Sequence, residues 1–196
     1  MALALTDDAG RYGATEQISD DQLMLAYRRG DKRAFDALYT KYKNPLHGYL
    51  YRHCNSETQT AELFQDVWVR VIASNSRFEG SGRFRSWIFT LAHNCLVDFY
   101  RKNEKQQLHT TYEESAGGKG PDDEADGSEL RSALDRSLQR LPLDQRQAFC
   151  LREEQGFSIK EIAVIQNVTA EAAKSRLRYA YKKLKASMGG KDRETK

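Results

Sequence analysis

The chain has 196 residues, of which 39% are hydrophobic and 30% charged, and its formal net charge is +3. This length suits one large or two small domains, and no apolar run approaches the ~20 residues that a membrane span requires. The N-terminal segment lacks a basic start followed by an apolar stretch, so we expect no signal peptide and a cytoplasmic location. Three widely spaced cysteines, Cys54, Cys95 and Cys150, argue against a disulfide framework and a zinc motif, and we expect no metal or other cofactor.

Charge is distributed unevenly along the chain. Residues 23–107 and 130–196 are basic, whereas residues 1–22 and 108–129 are acidic. Two basic blocks separated by an acidic one are typical of two nucleic-acid-binding modules on a tether. Two solvated helical domains would explain the same pattern equally well, so charge alone does not decide between them.

The first basic block is predicted to be a helical bundle. Residues 1–18 are polar and aperiodic, and we expect them to be disordered. Ser19 and Gln22 have the capping-box spacing that begins a helix, and Gly30 ends that helix. The next helix is expected to end at Pro45, because proline interrupts helices, and a separate short helix follows it.

Two longer helices complete this block. Ser56 begins the first, and its inner face is predicted from apolar residues at steps of three and four: Ala61, Phe64, Val67, Trp68 and Val71. Its opposite face has Glu62, Gln65 and Asp66. A polar loop over residues 74–82 contains Phe78, and the longest helix then covers residues 84–102. The core stripe of that helix is Phe84, Trp87, Ile88, Leu91, Cys95 and Phe99.

The second block is predicted to be a smaller bundle behind a linker. Residues 104–129 have no periodicity, contain several glycines and are strongly acidic, which is typical of a flexible linker. Helices are expected over residues 130–141 and 144–155. Ser158 and Glu161 begin a short helix with the third capping-box spacing of the chain, after Ser19–Gln22 and Ser56–Gln59. No segment alternates strictly between apolar and polar residues. The fold class is therefore all-α, with two helical bundles on a flexible acidic linker.

The segment 158–185 has the features of a helix-turn-helix. A short capped helix is followed by a tight turn at Asn167 and by a longer helix that Thr169 caps. In such a motif the first turns of the second helix face base edges in the major groove. The side chains away from its buried stripe are Glu171, Lys174, Ser175 and Arg178, and Lys182 continues the basic surface. An amphipathic helix with a solvated basic side is the simpler alternative.

The long helix of the first block has a second polar stripe. Arg83, Thr90, Asn94 and Arg101 are spaced so that they share one side, which borders Trp87. Another side has three rings that we expect to lie away from the core, namely Phe89, His93 and Tyr100. Cations beside aromatic rings suit single-stranded DNA, and Phe78 is a candidate wall for a pocket that holds an unstacked base. Taken alone, the pattern favours an ordinary polar edge of a bundle.

Three motifs in this chain resemble the sigma-70 family of bacterial RNA polymerase sigma factors. AELFQDVW at 61–68 is similar to a helix of its region 2, and FRSWI at 84–88, with Ala92, Asn94, Asp98 and Arg101 after it, is similar to a second motif of that region. LP at 141–142, GFS at 156–158, EIA at 161–163 and KSRL at 174–177 resemble region 4. The length and the short linker resemble the extracytoplasmic-function group.

The resemblance implies domain boundaries as well as a fold. Region 2 is expected over residues 19–103 and region 4 over residues 130–187, with a tail at 188–196. The sequence departs from the family at Gln166-Asn167, where Leu-Gly is frequent, and at Ala172-Ala173, where Thr-Val is common. Promoter preference therefore does not transfer from the family to this chain.

The resemblance also implies partners. Region 2 is expected to bind the β′ clamp helices of core RNA polymerase through Glu62, Gln65 and Asp66, and region 4 to bind the β-flap. The residues expected at the minus-10 element are Phe78, Arg83, Trp87, Asn94 and Arg101. Those expected at the minus-35 element are Glu171, Lys174, Ser175, Arg176, Arg178 and Lys182. An anti-sigma factor is the expected regulator.

Two other classes of protein were weighed against a sigma factor. A stand-alone helix-turn-helix regulator would use only the C-terminal motif, which leaves the motifs at 61–68 and 84–101 without a role. An enzyme acting on nucleic acid would need a catalytic constellation. The sequence has no paired carboxylates, nucleophile elbow, phosphate loop or metal cluster, so we expect no catalytic residues.

Overall fold

The computed structural model describes residues 18–54, 56–78, 80, 83–109 and 128–188. Within these residues every regular element is helical, and no β-strand is present. A short 3₁₀-helix, Asn75–Arg77, lies between the third and fourth α-helices. The α-helices are α1 (Asp20–Arg28), α2 (Lys32–Cys54), α3 (Glu57–Ala73), α4 (Phe84–His109), α5 (Ser128–Gln139), α6 (Leu143–Glu153), α7 (Ile159–Ile165) and α8 (Ala170–Met188).

The predicted start of α1 is confirmed. The Ser19 hydroxyl accepts the backbone N–H of Gln22 at 3.2 Å, and the Gln22 side chain accepts the backbone N–H of Ser19 at 2.8 Å. These two bonds satisfy amides that have no partner within the helix. Gly30 has φ +102, a conformation that glycine adopts without the steric penalty of a Cβ, so the chain turns there as expected.

The break expected at Pro45 is wrong, because α2 continues through it to Cys54. Proline removes one N–H, and the carbonyl that this leaves without a helical partner belongs to Lys41, four residues earlier. Lys41 and Pro45 are both exposed, so water can hydrate this side of the helix. The apolar stripe continues across the proline through Tyr42, Leu46 and Tyr49, all of which are buried. Packing of this stripe therefore outweighs the local cost of the proline.

The core of the N-terminal bundle largely follows the predicted stripes. On α3 the side chains of Val67, Trp68 and Val71 are buried, but Ala61 is exposed and Leu63 is buried instead. The predicted inner face of α3 was therefore wrong at Ala61. On α4 the buried stripe includes Phe84, Ile88 and Cys95. The helix extends to His109, beyond the expected end at Lys102, so the first part of the expected linker is helical; residues 110–127 lie outside the described part of the chain.

The C-terminal bundle consists of α5 to α8. Leu138 and Leu141 pack against Ala180 and Leu184 of α8. The capping box predicted at Ser158 is confirmed, since the Ser158 hydroxyl accepts the N–H of Glu161 at 3.3 Å and the Glu161 carboxylate accepts the N–H of Ser158 at 2.8 Å. At the start of α3 the cap is one-sided, with the Ser56 hydroxyl accepting the N–H of Gln59 at 3.5 Å.

The two bundles pack against each other. The Phe89 ring on α4 contacts Phe157, two positions before α7, with ring centroids 5.2 Å apart. Arg146 of α6 is buried and donates to the backbone carbonyl of His53 at 3.0 Å. Phe89, His93 and Tyr100, which were expected to lie away from the core, are instead buried or half-buried at or beside this contact.

Candidate nucleic-acid interface

Helices α7 and α8 form a helix-turn-helix. Ile162 and Ala163 of α7 are buried with Ala173 and Leu177 of α8, so the shorter helix rests across the longer one. Asn167 has φ +50 in the turn between them, a left-handed conformation that asparagine tolerates better than most residues. The Thr169 hydroxyl accepts the N–H of Ala172 at 3.2 Å and thereby caps α8, as predicted.

One side of α8 is open to solvent. Glu171, Lys174, Arg178 and Lys182 are exposed, and Ser175 between them is half-buried. Glu171, Lys174, Arg178 and Lys182 follow one another at steps of three or four positions, which keeps them on one stripe of the helix. The stripe begins in the first turn of α8, the part of a recognition helix that faces base edges. It offers guanidinium and ammonium donors for guanine and one carboxylate acceptor for cytosine.

Arg176, which was also expected to face DNA, lies off this stripe, and its half-buried side chain is engaged inside the domain. Its Nε atom lies 3.1 Å from the Asp144 carboxylate of α6, and one terminal nitrogen donates to the Gln166 side chain at 3.0 Å. The Gln166 amide in turn donates to the backbone carbonyl of Asp144 at 2.9 Å. The departure from the family at Gln166 therefore has a structural role, because that side chain ties the turn of the helix-turn-helix to α6.

The polar edge of α4 is the second exposed surface. Arg83, Asn94 and Arg101 are exposed there, and Trp87 is half-buried. Arg101 donates to Asp98 at 3.1 Å, and Arg70 of α3 donates to the other oxygen of the same carboxylate at 3.1 Å. This bridge between α3 and α4 fixes the orientation of the edge. Its amide and cationic groups suit the backbone and base edges of a single strand.

Phe78, the candidate wall for a base pocket, does not lie open beside this edge. The side chain is only 4% exposed and packs against Phe84 and Trp87, with ring centroids 5.7 and 5.3 Å away. Its position in a polar segment with two glycines after it suggested a solvent-facing loop residue. The two rings of α4 that cover it are six and nine positions further along the chain, a distance that helical periodicity within one element does not report.

The outer face of α3 is the third exposed surface. Glu62, Gln65 and Asp66 all lie on it and are exposed, in agreement with the expected acidic face. The structure adds two apolar residues that were not singled out from the sequence, Val69 and Ile72, which are 55% and 47% exposed. Both follow Asp66 at steps of three. An acidic and apolar stripe of this kind is typical of a protein-binding surface.

The cysteines and two of the histidines are structural. Burial raises the pKa of Cys54 to about 12 and that of Cys95 to about 11, and it also raises the pKa of Cys150, so these thiols stay protonated. Burial lowers the pKa of His53 to about 3 and also lowers that of His93. Within the described residues, no group of three or more His, Cys, Asp or Glu side chains is arranged to hold a metal ion.

Two family descriptions match this chain. Sigma-70 region 2 matches residues 38–106, and Sigma-70, region 4 matches residues 131–184. The chain is 31% identical over 168 residues to the RNA polymerase sigma factor CarQ of Myxococcus xanthus. The aligned residues cover 85% of this chain and 95% of CarQ. It is 25% identical over 174 residues to the ECF RNA polymerase sigma-E factor of Escherichia coli K12, covering 83% and 91% of the two chains.

Solved structures share the fold. CnrH, solved in complex with the cytosolic domain of CnrY, superposes with a TM-score of 0.68 at 22% identity, over 87% of this chain and 97% of CnrH. The sigma factor RpoE, solved with the anti-sigma factor NepR from Bartonella quintana, superposes with a TM-score of 0.64 at 22% identity, over 79% and 96% of the two chains.

A helix-turn-helix bundle packed on a second helical bundle with a polar edge is typical of a DNA-binding transcription factor. The family matches identify which kind of transcription factor it is. The chain belongs to the sigma-70 family of RNA polymerase sigma factors, in its extracytoplasmic-function group. It is thus a transcription initiation factor, a class that acts with core RNA polymerase at promoter DNA. No helix among the described residues is both long and apolar enough to cross a membrane.

Proposed function

We propose that the chain directs core RNA polymerase to promoters by three surfaces with separate roles. The functional units are residues 19–103 for polymerase binding and the minus-10 element, and residues 130–187 for the minus-35 element. The observation that carries this proposal is the exposure of two cationic stripes, one on α4 and one on α8, in a chain that matches both sigma-70 regions. The work would take place in the bacterial cytoplasm, where polymerase and chromosome are found.

The acidic face of α3 is the proposed site for core polymerase. Glu62, Gln65 and Asp66 would bind the β′ clamp helices, and the exposed Val69 and Ile72 beside them would add apolar contact. Acidic and apolar side chains together suit a partner surface with basic and apolar groups, because complementary charges favour encounter and buried apolar area favours retention. Region 4 would bind the β-flap.

The polar edge of α4 is the proposed minus-10 site. Arg83 and Arg101 would neutralise the strand backbone, Asn94 would bond a base edge, and Trp87 would border the strand. Phe78 and Arg176 are left out of the proposed DNA contacts, because both are engaged inside the protein.

The exposed stripe of α8 is the proposed minus-35 site. Glu171, Lys174, Ser175 and Arg178 lie where base edges would be read, and Lys182 lies further along the helix where phosphates would be met. Control by an anti-sigma factor is part of the proposal, since the similar RpoE was solved with the anti-sigma factor NepR.

Fluorescence anisotropy of holoenzyme on duplex fragments tests the division of roles on α8. Lys174→Ala and Arg178→Ala should each weaken binding to the minus-35 sequence by ~1–3 kcal/mol and leave binding to a scrambled duplex nearly unchanged. Lys182→Ala should weaken binding to both duplexes and reduce the slope of log affinity against log salt by ~0.9. Identical behaviour of all three variants on both duplexes would contradict the assignment.

A further inference from the structure

Helix α1 lies against the segment that joins α3 to α4. Three of its residues, Asp21, Leu25 and Arg28, are spaced four and three positions apart and therefore share one face. Each contacts a different point of that segment or of the start of α4. The segment that matches Sigma-70 region 2 begins at residue 38, so α1 precedes it. We call Asp21, Leu25 and Arg28 the α1 clamp.

The first point of contact is the beginning of α4. Asp21 is 8% exposed, and its two carboxylate oxygens accept the backbone N–H groups of Phe84 at 2.8 Å and Arg83 at 3.1 Å. These amides belong to the first turn of a helix, where N–H groups have no partner within the helix and a negative charge is favourable. A side chain 62 positions before Arg83 thus fixes where and in which direction α4 begins.

The second point of contact is Gly80. It has φ +65, and a Cβ atom added there would lie 2.7 Å from Cδ1 of Leu25, closer than two such carbons can approach. The backbone at Gly80 therefore lies against the end of the Leu25 side chain, which would have to shift to admit a Cβ atom. The positive φ at this position is a conformation that favours glycine.

The third point of contact is the backbone of Phe78. The Arg28 guanidinium donates to the Phe78 carbonyl at 3.1 Å, while the Phe78 ring packs beneath Phe84 and Trp87 of α4. Arg28 therefore holds the backbone of a residue whose ring supports the first turn of α4. This turn is where Arg83 and Trp87 lie, two of the residues assigned to the minus-10 strand.

We propose that the α1 clamp positions the start of α4 for capture of the melted promoter strand, and that Asp21, Leu25 and Arg28 are positioning residues for strand opening that do not touch DNA. This inference rests on the proposed minus-10 role of α4. Side chains that bind a ligand act well only when their own backbone is held in place by surrounding contacts. The clamp holds Phe78, Gly80 and Arg83 together. Without it, the start of α4 would have to be ordered when the strand binds, which makes binding less favourable.

Holoenzymes made from the full chain test the clamp by permanganate reactivity of thymines near the start site. We expect Asp21→Asn and Arg28→Met to lower the fraction of open complex by about 10-fold, the usual effect of losing a hydrogen bond to a charged group. Duplex promoter binding should remain within about twofold. Arg28→Lys should restore part of the opening because it keeps one donor. Arg29→Met is the matched control, since Arg29 is the exposed residue that follows α1, and it should open normally.

A second pair of variants separates positioning from general loss of fold. Gly80→Ala should impair opening because the added methyl collides with Leu25, and the double variant Leu25→Ala, Gly80→Ala should recover part of it. Leu25→Ala removes apolar contact, so a purely structural effect would make the double variant worse than Gly80→Ala. If the double variant opens the promoter better than Gly80→Ala although it has lost more apolar packing, the position of the Gly80 backbone determines opening.

A template with a pre-melted bubble gives the third readout. Clamp variants should regain most of their transcription on it, because the cost of unpairing is already met. Normal opening by Asp21→Asn and Arg28→Met, in holoenzymes where Asn94→Ala opens poorly, would overturn the clamp and leave the minus-10 role standing. Defects that parallel lost polymerase affinity or lost thermal stability, without recovery on the bubble, would also overturn it. Normal opening by Asn94→Ala and Arg101→Ala would instead contradict the minus-10 role itself.

Discussion

Two arginines two positions apart on α8 should respond to substitution in opposite ways. Arg178 is exposed on the proposed minus-35 stripe, whereas Arg176 bonds Asp144 and Gln166 inside the domain. Arg178→Ala should therefore change the free energy of unfolding by no more than ~0.5 kcal/mol. Its effect should appear in binding, as a loss of ~1–3 kcal/mol on the minus-35 duplex.

The magnitude for Arg176→Ala follows from its two contacts. The Arg176 side chain is 25% exposed, so the ion pair with Asp144 is partly screened and contributes ~0–1 kcal/mol. The bond to the buried Gln166 side chain contributes ~1 kcal/mol, because its loss leaves a buried oxygen without a partner. We expect Arg176→Ala to lower the free energy of unfolding by ~1–2 kcal/mol.

Chemical denaturation and duplex anisotropy together measure both quantities. Arg176→Ala should leave the ratio of specific to scrambled binding near its original value under conditions where the domain is folded, whereas Arg178→Ala should lower that ratio. Two results would contradict the separate roles of these arginines. One is an Arg176→Ala variant as stable as the original chain but with lower specificity. The other is an Arg178→Ala variant that unfolds at lower denaturant concentration and keeps its specificity.

Three further predictions address the other surfaces. Asp66→Arg should weaken core polymerase binding in a pull-down titration without lowering the melting temperature. Asp36→Arg, an exposed change on α2, is the control and should bind normally. Equal binding of the two variants would exclude the α3 face as the polymerase-binding site. Phe78→Ala should lower the free energy of unfolding by ~3–5 kcal/mol because its ring is buried, and stability near that of the original chain would contradict the observed packing. Burial lowers the pKa of His53, which lies beside Arg146 of the other bundle, and that of His93, which lies beside Gln147. Contact between the bundles should therefore be stable above pH ~6.5 and weaken as the pH falls toward 3, and a FRET distance between bundles that is constant over this range would refute this.

Local signals in the sequence predicted the helices well. The capping residues Ser19, Ser158 and Thr169 act at short range, so the atoms that determine each helix start lie within three or four residues of it. Local propensity also predicted a helix break at Pro45, where α2 is continuous. The packing of Leu46 and its buried neighbours outweighs the propensity of the proline, and local signals do not report that packing.

The candidate site was predicted less completely, for a physical reason. Periodicity identifies which face of a helix is apolar or polar, and it correctly separated the exposed Lys174 and Arg178 from the buried stripe of α8. It does not identify what covers a face from elsewhere in the chain. Phe89 was expected to be free for stacking, but Phe157 covers it from the other bundle. The same limit applies to Arg176 and to the contacts of α1, which join residues fifty or more positions apart.

Promoter-specific initiation by purified core polymerase shows whether the chain works as a sigma factor. Core enzyme would be incubated with bacterial genomic DNA in the presence or absence of the full chain, and the 5′ ends of the transcripts would be sequenced. We expect a new set of start sites that share sequence elements near minus 10 and minus 35, appear only with the chain, and are lost with Asp66→Arg. Start sites that are unchanged by the chain, although it binds DNA on its own, would contradict its assignment as a sigma factor.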